Sequence, residues 1–209
     1  MIRKIFILFF YVFNGLLLLA QNNNETNNPL NKNAKSMLDS ARLYVANAPS
    51  KSIIFAEKAY SLSLNDQHYL GQTLSLKMLA AAYRNLDNYS KALEYLLKAL
   101  NIDKKENSDV NLANTYNDIG LIYYRINNYD KALENYLIGL NHAELSDNSK
   151  ILSNLYNNIG SAYQVKGEFN SAEEYLQKAL TIFERTNDST GIARLLNNLG
   201  YLSETAGNN

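Results

Sequence analysis

The same residue types return every forty positions along this chain, and a fixed period of that length admits few folds. Ala80, Gly120, Gly160 and Gly200 stand forty apart. Tyr83, Tyr123 and Tyr163 follow the first three at a constant distance; Ala92, Ala132 and Ala172 keep the same step, and Ser52 extends it backward. Ala59, Ala99, Gly139 and Ala179 form a further column. Independent columns that agree on one period mark a solenoid, in which each unit is one supersecondary element unable to bury its apolar face alone. The frame divides the chain into units 33–72, 73–112, 113–152 and 153–192, with a partial unit at 193–209.

Each unit reads as two helices. In the third, Tyr116, Ile119, Gly120 and Tyr123 fall on one stripe of a 3.6-residue helix, and Ala132, Tyr136 and Gly139 form a second stripe. Glu94 and Lys98, like Glu174 and Lys178, are spaced as i, i+4 surface pairs. The fifteenth residue of successive units is Asn47, Asp87, Asn127, Gly167 and Gly207, all types that tolerate the left-handed conformation ending a helix. Gly120, Gly160 and Gly200 sit where a helix pays for glycine, which predicts a close helix–helix approach at each.

The amino terminus stands apart from the repeats. "MIRK" is followed by the apolar run Ile5–Ala20 and then by the polar stretch "QNNNETNNPLN". A basic start, an apolar stretch and a small residue before a polar segment are the layout of a secretory leader. Residues 1–20 are therefore expected to be a signal peptide cut after Ala20, or a retained N-terminal anchor, with residues 21–32 a disordered Asn-rich spacer. Either way the chain is expected to be exported, to a bacterial periplasm or cell envelope, and to meet a membrane only through this segment. The sequence contains no cysteine, which removes disulfides, thiol catalysis and cysteine-ligated metals. Twenty basic and twenty acidic residues balance, so bulk charge draws neither nucleic acid nor anionic lipid.

The repeated pattern resembles the tetratricopeptide repeat (TPR) family: a large residue, Leu-Gly, Tyr, Ala, an aromatic or Leu, then Ala. Unit 3 carries Tyr116, Ile119-Gly120, Tyr123, Ala132, Tyr136 and Gly139; unit 4 carries Tyr156, Ile159-Gly160, Tyr163, Ala172, Leu176 and Ala179. Unit 2 has Ala80 in place of the glycine, and unit 1 matches only in its second helix. The resemblance covers residues 33–209 and is closest to arrays with forty-residue units attached to bacterial sensor kinases and transcriptional regulators. It implies an all-α, right-handed superhelical solenoid of stacked antiparallel helix pairs, with the first helices lining a concave groove. The family's unit is about six residues shorter. The extra residues fall before the first helix, in "KKENSDVN", "ELSDNSK" and "RTNDSTG", and read as longer helices joined by turns with Ser or Asp N-caps.

The implied function is a non-catalytic scaffold that binds a peptide or protein segment in the groove; the alternative is the sensor region of a longer signalling protein with a kinase or DNA-binding output. Candidate groove residues are Lys77, Asn117, Asn157 and Asn197 at position 5 of successive units, Arg84, Tyr124 and Gln164 at position 12, and Arg125 at position 13. Position 6 adds Asp118, Asn158 and Asn198. A carboxamide offers donor and acceptor together and suits a peptide backbone, while Lys77, Arg84 and Arg125 suit a carboxylate. In an asparagine-rich chain the same row also reads as a solvated face. His68 and His142 have no ligand spacing around them, and no nucleophile elbow, dinucleotide fingerprint or P-loop is present, so no cofactor, metal or enzymatic reaction is expected.

Overall fold

A computed structural model describes residues 29–206, with side chains through residue 200. The expected leader, and the spacer up to residue 28, lie outside the described residues. Among the described residues there are nine helices and no strand. Unit 1 contributes α1 (Lys32–Tyr44) and α2 (Pro49–Asn65); unit 2, α3 (Tyr69–Asn85) and α4 (Tyr89–Glu106); unit 3, α5 (Asp109–Arg125) and α6 (Tyr129–Leu145); unit 4, α7 (Ser149–Val165) and α8 (Phe169–Arg185). The ninth, α9 (Ser189–Ala206), opens the partial fifth unit. From α3 onward the first helices begin four residues before the frame set by the sequence. α1 starts inside the stretch expected to be spacer, with the Asn31 side chain accepting from the Asn33 backbone N–H.

A shorter period underlies the forty-residue one. Residues with positive φ occur at Gln67, Asp87, Asn107, Asn127, Asp147, Gly167 and Asn187, every twentieth position. At six of these turns, all but the one at Asp147, the next residue's N–H reaches back five residues, as from Asn88 to the Tyr83 carbonyl at 2.9 Å and from Asp188 to the Phe183 carbonyl at 2.9 Å. That is the Schellman ending. The following side chain then caps the next helix: Asn88, Asn128 and Asn148 accept from the N–H three residues on, as do Ser108 and Asp188. Ser108 and Asp188 are the N-caps expected; at α7 the cap is Asn148 instead. The six extra residues are thus not an insertion before the first helix. They are absorbed by helices of 17 residues in both halves of the unit.

Asn47 departs from the expected left-handed geometry, since it is not among the positive-φ residues. Pro49 accounts for this. It restricts the residue before it to extended backbone, and Ala48 sits at φ −148, so this turn closes without a left-handed residue. Gly207 lies outside the described residues.

Packing explains the small columns. A Cβ on Gly120 would stand 2.5 Å from the Tyr136 ring, and one on Gly160 would stand 2.7 Å from Leu176. Glycine lets the second helix of the unit press a large side chain against the first. Gly200 behaves differently: among the described residues nothing lies within 4 Å of where its Cβ would be. Beneath these contacts runs a continuous core of fully buried alanines, leucines and isoleucines, among them Ala92, Leu96, Ile122, Ala132, Leu155 and Leu176. Lysines clasp the paired helices from outside, Lys91 over the Tyr83 ring and Lys131 over Tyr123, again forty apart.

First helices also meet across units, α1 with α3, α5 with α7 and α7 with α9, whereas no two second helices pack comparably. The first helices are therefore on the inside of the curve.

Candidate functional site: the inner face of the first helices

The inner face is organised by a step of forty-one residues. Lys77 Nζ on α3 lies 3.3 Å from Asp118 Oδ2 on α5. Asn158 on α7 donates to Asn117 Oδ1 on α5 at 2.8 Å, and Asn198 on α9 donates to Asn157 Oδ1 on α7 at 3.0 Å. Position 5 of each unit thus meets position 6 of the next. The three rungs form one row, an ion pair followed by two carboxamide pairs. Asn198 donates further to Ser161 Oγ at 3.0 Å, which locks the last rung.

This changes the reading of the asparagines. Asn117 and Asn157 are half-buried and already engaged in holding adjacent units in register; they are not a set of unoccupied clamps. Lys77, expected as a carboxylate ligand, has its charge met by Asp118, and its side chain is only 18% exposed. Asn197, by contrast, is exposed. Asp118, Asn158 and Asn198 were the weaker expectation in the sequence, and Ser161 gave no signal there. The pairing rule needed the offset of forty-one, which a forty-residue alignment of columns does not display.

Two turns further along the same helices lie the position-12 and position-13 residues. Tyr124 and Val165 share a cleft of about 560 Å³ with Ser161, Gln164, Leu196, Asn197, Asn198 and Gly200. Gln164 is 6% exposed, and its Nε2 donates to the Asn198 carbonyl at 3.1 Å. Tyr124 meets Tyr129 edge-on, ring centres 5.4 Å apart. On the N-terminal side, Lys77, Ala81 and Arg84 of α3 face Asp118 and Ile122 of α5 across a cleft of about 40 Å³.

The electrostatics of this N-terminal half centre on two phenols. The Tyr136 hydroxyl is pushed well above its ordinary range by burial, then by Tyr124 and Asp118, with Arg125 opposing. Tyr89 donates to Asp87 at 2.8 Å, and that bond raises its phenol, while Arg125 and Arg84 both pull it down. The candidate residues of the sequence therefore fall into two groups, Lys77, Arg84 and Arg125 on units 2 and 3, and Asn157, Gln164 and Asn197 on units 4 and 5, with Asn117 and Tyr124 between.

The two histidines have structural duties. His68 Nδ1 accepts from the Gly71 N–H at the start of α3. His142 Nδ1 lies 2.8 Å from Asp109 Oδ1, and its ring stacks on Tyr116. Among the described residues no cluster of histidine and acidic side chains could hold a metal ion.

A sequence model described as tetratricopeptide repeat matches residues 69–143 and 152–209, more than half of the chain. This chain belongs to the tetratricopeptide repeat family. No curated protein matches it. Among solved structures it is similar to aspartyl phosphate phosphatase F from Bacillus subtilis, at 18% identity and a TM-score of 0.77, over 87% of this chain and 48% of that one. It is also similar to a Rap protein complexed with competence and sporulation factor, at 16% identity and a TM-score of 0.73, over 82% of this chain and 50% of that one. A putative kinesin light chain from Podosopora anserina with TPR-like repeats aligns at 18% identity and a TM-score of 0.64, over 83% of this chain and 87% of that one. The chain spans about half the length of the first two. Identities this low establish the TPR solenoid and nothing finer.

Proposed function

We propose that this TPR array is a non-catalytic scaffold whose inner face holds an extended segment of a partner protein. The observation that carries the reading is the inner row itself. The inter-unit rungs fix the first helices in register, and beside them lie open clefts lined by carboxamides, the Arg84 guanidinium and the Tyr124 ring. A ligand across such clefts is recognised by hydrogen bonds along its length, not by enclosure in a pocket, and that suits a peptide main chain. The Rap protein solved in complex with competence and sporulation factor supports the choice of a bound partner over a reaction. We further propose that the array works outside the cytoplasm, on the strength of the basic-then-apolar stretch at residues 1–20.

A photo-crosslinking residue separates the faces. Placed at Ala81, on the inner side of α3, it should form partner adducts in the protein's own cell. Placed at Leu97, 52% exposed on second helix α4, it should form few. Adducts of equal yield from both positions, or none from Ala81, would remove the groove from the account. Localisation has its own check: the chain should appear in the envelope fraction, and finding it wholly in the cytoplasm would overturn export.

A further inference from the structure

The turns of this array supply most helices with an N-cap, and one of those caps differs in kind. Asn31, Asn88, Ser108, Asn128, Asn148 and Asp188 cap through a side-chain oxygen. His68, at the joint between units 1 and 2, caps α3 through a ring nitrogen: its Nδ1 accepts from the Gly71 N–H at 2.9 Å. A carboxamide or hydroxyl oxygen accepts at any ordinary pH. An imidazole nitrogen accepts only while it carries no proton, and histidine is the side chain that ordinarily changes charge near neutrality.

The surroundings make this bond costly to lose. Gly71 is buried, and a Cβ there would collide with Ser63 Oγ of α2 and with the Leu30 side chain of the segment leading into α1. A donor left unmet in so tight a place is far more unfavourable than the same donor in water. Protonation turns Nδ1 into a second donor facing the Gly71 N–H and sets a positive charge at the positive end of the α3 dipole. The first turn of α3 carries no acidic residue to offset that charge. On the side of α2 the charged neighbour is Asp66, which lines one cleft of about 350 Å³ with His68 and the uncharged Asn31 and Pro29. Asp66 favours the imidazolium, whereas the cap requires the neutral ring.

Unit 1 is also held by a different set of contacts from its neighbours. The inner rungs begin at Lys77, and the corresponding positions one unit earlier are Met37 and Met78, with neither charge nor carboxamide. α3 is tied back to α2 by Gln72 Nε2, which donates to the Ser63 carbonyl at 3.3 Å, and to the end of α1 by Asn85 Nδ2, which donates to the Val45 carbonyl at 2.7 Å. His142 has the opposite proton requirement: its Nδ1 faces the Asp109 carboxylate at 2.8 Å, a contact that proton uptake leaves in place.

We propose that His68 makes the joint between units 1 and 2 acid-sensitive: proton uptake breaks the α3 cap and loosens unit 1, while the units beyond it stay stacked. The folded joint holds the ring unprotonated, so the contribution of the cap is present at higher pH and fades as the ring takes up a proton. Acid therefore shortens the ordered array from its N-terminal end without disturbing the inner rungs of units 2 to 5.

The test is site-resolved amide exchange on the full chain, read as protection factors between about pH 7.5 and about pH 5.5. Gly71 should lose about tenfold in protection as pH falls across that range, together with the amides of α1 and α2, the scale of one lost cap. Asn111 and Ile151, capped by Ser108 and Asn148, should keep theirs. His68→Asn supplies an oxygen acceptor at the same N-cap, as Asn148 does for α7, and should remove the pH dependence with helicity unchanged. His68→Ala should show the low protection at both pH values. A loss at Gly71 that spares α1 and α2 would overturn the joint and leave only a local cap. Constant protection at Gly71, or a pH dependence that survives in His68→Asn, would overturn the proposal outright.

Discussion

Single residues carry two of the clearest energetic commitments in this array. Gly120 exists because the Tyr136 ring occupies the space a methyl group would need, with the Ala132 carbonyl 3.1 Å away on the other side. Gly120→Ala should cost about 1–3 kcal/mol through overpacking, less up to about 1 kcal/mol returned by helix propensity. Gly200→Ala meets no atom of the described residues within 4 Å and should be neutral or stabilise by up to about 1 kcal/mol. Urea unfolding of the two variants checks the contrast; equal costs would mean the small column reflects something other than packing. Asp103 is the second commitment. It is 1% exposed and accepts from Thr73 at 3.0 Å and from Thr115 at 2.6 Å, joining α3, α4 and α5. Burial raises its carboxyl above the ordinary range despite those two bonds. Its folded pKa therefore exceeds its unfolded one, so the fold binds this proton more tightly, and the associated stability is lost as pH rises through the folded pKa. Comparing unfolding of the wild type with Asp103→Asn across acid to neutral pH, the difference should move in favour of the wild type as pH falls. A flat or opposite trend would refute the burial argument.

At the scale of the element, much of the architecture was legible from local chemistry. The Tyr-Ile-Gly-Tyr and Ala-Tyr-Gly stripes gave the two helices of each unit, and the Glu94–Lys98 and Glu174–Lys178 pairs close at 2.6 Å as their spacing implied. The twenty-residue step was hidden, because four of its seven left-handed residues, Gln67, Asn107, Asp147 and Asn187, lie in the turns between units, where a glycine signal was absent. Asn47 misled because a proline two residues later governs that turn. The rungs were hidden for a geometric reason. A residue and its partner differ by forty-one positions, so they occupy different columns of the repeat, and only the stagger of neighbouring helices brings them together. A double-mutant cycle on Lys77 and Asp118 should give a coupling of about 1 kcal/mol, above an exposed surface pair because the lysine is only 18% exposed. Replacing both by Asn, the chemistry of the next two rungs, should cost less than removing Asp118 alone. A cycle with no coupling would show that this rung does not hold the units in register.

For the whole molecule, the consequence of these contacts is a one-dimensional stack. Each helix pair meets only its neighbours, so stability is a sum of unit and interface terms and the interior units are expected to be the last to open. The stack also explains why the groove chemistry divides along its length: each unit contributes its own position-5, position-12 and position-13 side chains, and unit 2 differs from unit 4. The measurement that bears most directly on this geometry is the pulsed electron spin resonance distance between paired labels. The chain has no cysteine, so introduced ones carry the only labels. One pair is Arg125→Cys with Val165→Cys, on the first helices, and the other is Leu97→Cys with Leu137→Cys, exposed on the second helices. A curved stack with the first helices inside predicts a shorter separation for the first pair than for the second. Equal separations, or the reverse order, would contradict the inner face on which the proposed capture depends.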